Sequence, residues 1–102
     1  MFKRYIAIGV LMTTLPDEEI QTIAKDIATA NSIPVQAVST SPVMDSAGLV
    51  AVEVIISIPP GQSFAIMGGP SARTVSQVIQ RLADAGEERF PIVQFGEKSS
   101  AP

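Results

Sequence analysis

Apolar residues recur in two stretches at the spacing of a helix that lays one face on a core: Ile20, Ile23, Ala24, Ile27 and Ala28, then Val75, Val78, Ile79, Leu82 and Ala83. Around these stretches the period shortens to two. Val50, Val52, Val54, Ile56 and Ile58 alternate with Leu49, Ala51, Glu53, Ile55 and Ser57, so residues 49–58 form the strongest strand pattern, its β-branched face on the core. Residues 5–12, from Tyr5 to Met12, are a continuous apolar run that suits a strand buried on both faces. Two further strands are expected over residues 34–41, opening at Pro34, and residues 90–95, around Pro91.

Local signals place the ends. The first helix is expected over residues 15–30, with Thr14 as N-cap, Pro16 in the first turn and Asp17, Glu18 and Glu19 set against the helix dipole. Asn31, Ser32 and Pro34 stop it. The second helix is expected over residues 71–85 and ends at Gly86. Turn-forming residues over 41–48 predict a hairpin with a long tip. Residues 59–69 form a longer connection than the usual span of about 2 to 6 residues, and its Phe64, Ile66 and Met67 are expected to cap the end of the core.

The order β-α-β-β-α-β resembles the ferredoxin-like architecture. That resemblance implies an α+β fold: a four-stranded antiparallel sheet in the order 4-1-3-2 with two helices on one face. The first and third strands, the most apolar ones, would then be central. A single domain over residues 1–96 and a flexible C-terminal tail over residues 97–102 are expected.

Composition narrows the chemistry. With 46% hydrophobic residues the chain lies outside the range that stays disordered. Seven basic residues against ten acidic ones, with the basic residues scattered, provide no cationic patch for nucleic acid. The segment from Ser71 to Leu82 is similar to recognition helices of bacterial helix-turn-helix regulators, but a strand and a Pro/Gly loop precede it where such a motif requires a helix. Histidine and cysteine are absent, which removes thiol nucleophiles, Ser–His–Asp arrangements, the usual zinc sites and disulfides. Asp17 to Glu19 and Glu87-Glu88 read as dipole-complementing and solvated charge, so no metal and no cofactor are expected. Lys3-Arg4 before the apolar run also fits the start of an export signal, but no A-x-A-like cleavage site follows. The run is too short for a membrane span of about 20 residues, so a cytoplasmic protein without membrane contact is expected.

Two surfaces remain as candidates. Gly68, Gly69, Ser71 and Arg73 at the start of the second helix could bind a small anion or molecule through free N–H groups and a guanidinium, although Pro70 removes one donor. Tyr5, Leu11, Leu49, Glu53 and Ile55 would share the sheet face without helices, an apolar surface suited to a homo-oligomer or protein partner. Glu53 beside Tyr5 is the one carboxylate placed for acid–base chemistry. The leading expectation is a non-enzymatic module that associates through its open sheet face. The alternative is a small-molecule or anion-binding module using residues 59–73.

Overall fold

The structure, a computed structural model, describes residues 13–97. The order is α1 (Asp17–Ala30), β1 (Ala37–Met44), β2 (Val50–Ile58), α2 (Ser63–Ile66), α3 (Gly69–Asp84) and β3 (Phe90–Glu97). The expected first strand, with Tyr5 and Leu11, lies outside the described residues.

The sheet corrects the expected architecture. Among the described residues it has three strands in the order β1-β2-β3; β1 pairs antiparallel with β2, and β3 pairs parallel with β2 from Ala51↔Phe90 to Ile58↔Glu97. A ferredoxin-like sheet of order 4-1-3-2 is antiparallel throughout and keeps these two strands apart, with the first strand between them. Here they bond directly, leaving no such slot, so the fold is α+β with a mixed sheet. Alternation along β2 and β3 determines which side chains face the helices. It carries no information about which strand lies next door.

All three helices of the described residues contribute to one core on one side of this sheet. Val52, Val54, Ile56 and Ile58 of β2 pack with Ile20, Ala24, Ile27 and Ala28 of α1, Ile66 of α2, and Val78 and Leu82 of α3. Val38, Val93 and Phe95 on the outer strands extend that face, as their register against Ile56 and Val54 requires.

The helix ends differ from the expected ones in instructive ways. Pro16, not Thr14, is the N-cap of α1; its carbonyl accepts from the Glu19 and Ile20 N–H groups. At the C-terminus Ser32 adopts φ 65°, and the Ser32 and Ile33 N–H groups close back onto the Thr29 and Ala28 carbonyls. The end of α3 repeats this with Gly86 at φ 104°, where the Gly86 and Glu87 N–H groups bond to the Ala83 and Leu82 carbonyls. That second closure turns Glu87 inward.

The hairpin tip is short rather than long. Asp45 closes it: its N–H donates to the Leu49 carbonyl, and its Oδ1 accepts from the Ala47 and Leu49 N–H groups. β1 therefore runs on through Pro42. The Asp45–Leu49 bond sets the phase of the ladder, so odd-numbered residues of β1 direct their backbone groups at β2 and even-numbered ones direct theirs outward. Pro42, lacking an N–H, stands at an outward position and costs the ladder nothing.

Candidate functional site

On the sheet face away from the helices, β2 presents Ala51, Glu53, Ile55 and Ser57, and β3 presents Phe90, Ile92 and Gln94 in register with the first three. β1 contributes Ser39, Ser41 and Val43. Along its β2–β3 half this face sets the apolar Ala51, Ile55, Phe90 and Ile92 around Glu53 and Gln94, and along β1 it is hydroxyl-rich. Phe90 is 65% exposed although it sits in a strand, while Ile55, Glu53 and Ile92 are half-buried. Of the expected interface residues, Glu53 and Ile55 lie together in the middle of this face, and Leu49 projects from the hairpin end. Sequence reasoning missed Phe90 and Ile92, because only the β2–β3 register brings them beside Ala51 and Glu53.

The other candidate surface begins with a one-turn helix that the sequence pattern did not reveal. Ile66 of α2 is buried in the core, but Phe64 is 87% exposed and Met67 is exposed too, so the expected core cap is Ile66 alone. The loop is fastened to the end of β3: the Ser63 hydroxyl donates to Glu97 Oε2 at 2.6 Å, and the Ser63 N–H donates to the same oxygen. The Ser63 hydroxyl and the Gly61 and Ser63 amides hold the exposed Glu97 carboxyl below its ordinary pKa.

At the start of α3 the four expected anion-binding residues are adjacent in space but engaged with one another and with α1. Ser71 donates its hydroxyl to the Gly68 carbonyl, and Gly68 takes φ 81°. The Arg73 guanidinium folds over Gly69, so close that a Cβ placed there would meet it at 3.3 Å, and its Nε points to Asn31 Oδ1 at 3.5 Å. Asn31 Nδ2 in turn faces the Ile27 carbonyl, Thr74 Oγ1 and Gln77 Oε1, tying the end of α1 to α3.

One charged group expected in solvent is buried. Glu87 Oε2 accepts from Arg89 Nε at 2.8 Å and from the Arg89 N–H, while Oε1 accepts from Arg89 Nη2 and from the Leu15 N–H at 2.9 Å. Burial alone would raise the Glu87 pKa. The Arg89 side-chain hydrogen bond, the Leu15 and Arg89 amides and the guanidinium charge outweigh it and leave the carboxyl below its usual value. Every carboxylate oxygen of Glu87 is thereby occupied, and the pair acts as a clasp between residue 15 and the start of β3.

Among the described residues no group of three acidic, His or Cys side chains is arranged to hold a metal ion, and no helix is long and apolar enough to cross a membrane. Comparison with protein-family models, curated proteins and solved structures finds no match for this chain.

Proposed function

We propose that this chain is a non-catalytic association module whose helix-free sheet face binds another protein surface, in the simplest case a second copy of itself. The observation that carries this reading is the exposure of Phe90 beside half-buried Ile92 and Ile55, an apolar strip on the side of the sheet opposite all three described helices. An aromatic ring left in water at the start of a strand gains by burial against a partner, at about 25 cal/mol per Å² of apolar surface covered. The neighbouring Ser39 and Ser41 provide a polar border of the kind that rims such contacts. Ile55→Lys places a charge in the centre of the strip without touching the core. Sedimentation across the micromolar range should show the assembly step made through this face weakened at least tenfold with the fold intact; identical behaviour of wild type and variant would overturn the reading.

A second reading, a ligand- or peptide-binding loop over residues 59–73, is favoured by the exposure of Phe64 and Met67 on a segment pinned at Ser63. It differs from the first in leaving the sheet face free.

A further inference from the structure

Among the described residues no strand pairs with the outer edge of β1, which is an open template along half its length. With the ladder phase set at Asp45–Leu49, the Val38 and Thr40 N–H and carbonyl groups point away from β2. Edge strands are normally blunted by charge, proline or a bulge. Pro42 blunts the far half of β1, but residues 37–41 contain neither a charge nor a proline. The opposite edge differs, because Thr13 already approaches the start of β3, its carbonyl accepting from the Glu88 N–H.

Beside the open half runs a groove of about 360 Å³ between α1 and β1. Its floor includes Val35 and Val38, and its wall is the α1 stripe Glu18, Gln21, Thr22 and Lys25. Glu18 and Lys25 stand two turns apart on one helix face, and neither forms an ion pair among the described residues. The stripe is negative at one end, positive at the other and uncharged between.

A stripe of that form is complementary to itself run in reverse. A two-fold axis perpendicular to the sheet, passing between Glu18 and Lys25, turns α1 antiparallel to its copy and sets each Glu18 facing the other copy's Lys25. The same axis sets the two β1 edges antiparallel, the one orientation in which outward N–H and carbonyl groups exchange hydrogen bonds pairwise. We infer that a second copy of this chain docks across the β1 edge, joining the two sheets through the backbone at Val38 and Thr40 and closing the groove with the α1 stripe. This surface is separate from the helix-free face and does not depend on it.

The test uses the full chain carrying Ile55→Lys, which silences the open face, and reads the dissociation constant by sedimentation. The Ile55→Lys protein should still dimerise. Adding Lys25→Glu or Glu18→Lys should weaken the dimer at least tenfold, and adding both should restore it to within about threefold. An equimolar mixture of the two single reversals should associate where each alone does not. Thr40→Pro, which removes an outward N–H, should also abolish the dimer while far-UV circular dichroism stays unchanged. A monomeric Ile55→Lys protein, or a double reversal no better than the single ones, overturns the inference. Because the open-face reading is tested by comparing wild type with Ile55→Lys, either proposal can fail while the other stands.

Discussion

Glu87 shows how one residue can change role between sequence and structure. Beside Glu88 and after a glycine it reads as solvated charge. In the fold it is buried, and its two oxygens take four hydrogen bonds from Arg89 and Leu15. A carboxyl whose folded pKa lies below its unfolded one stabilises fully above the ordinary value, here 4.5, and loses that contribution as pH falls through the depressed value. Acid unfolding should therefore steepen below about pH 4.5. Glu87→Gln should remove that part of the pH dependence and, by leaving Arg89 buried without its counter-charge, cost about 3 to 5 kcal/mol at neutral pH. Urea melts at several pH values read both effects. A variant with wild-type stability at neutral pH would show the clasp to be idle.

At the scale of elements, α2 separates two side chains that the sequence presents alike. Ile66 is in the core and Phe64 is in water, so Ile66→Ala should destabilise by about 2 to 5 kcal/mol. Phe64→Ala should move the melting temperature by less than about 2 °C, and a larger fall would mean that Phe64 caps the core after all. What the sequence made legible follows the same division. The stripe of α1 and the alternation of β2 were readable because burial imposes a period; in α3 the period marked Val78 and Leu82 but missed the buried Thr74 and included the exposed Ala83. The partner of β3 was not, since a period of two fixes a face and leaves the neighbour open. Nor was the passage of β1 through Pro42, because a proline in a strand is costly only where its nitrogen faces the ladder. Of the candidate sites, Glu53 and Ile55 were legible from β2 alone, whereas Phe90 and Ile92 needed the parallel register. The Glu87 clasp depends on a backbone amide 72 residues away, beyond any local signal.

The molecule as a whole rests on one core built from both long helices and one face of the sheet. Val78 is fully buried at its centre. Val78→Asp places an unpaired carboxylate there at a cost of several kcal/mol, against a total of about 5 to 15, and should abolish the cooperative thermal transition; a variant that still melts cooperatively near the wild-type temperature would mean that this core is not shared. The clasp has a further consequence, in the order of synthesis. A ribosome releases Leu15 early and Glu87 almost at the end of the described chain, and the two meet across 72 residues. The β1–β2 hairpin can close as soon as it emerges and α1 can lay part of its stripe on it, but the rest of the stripe waits for α3 and the leading amide waits for its carboxylate. The nascent chain thus carries a half-covered amphipathic helix until α3 emerges, and a stall before that point would leave its open side exposed to whatever first meets it.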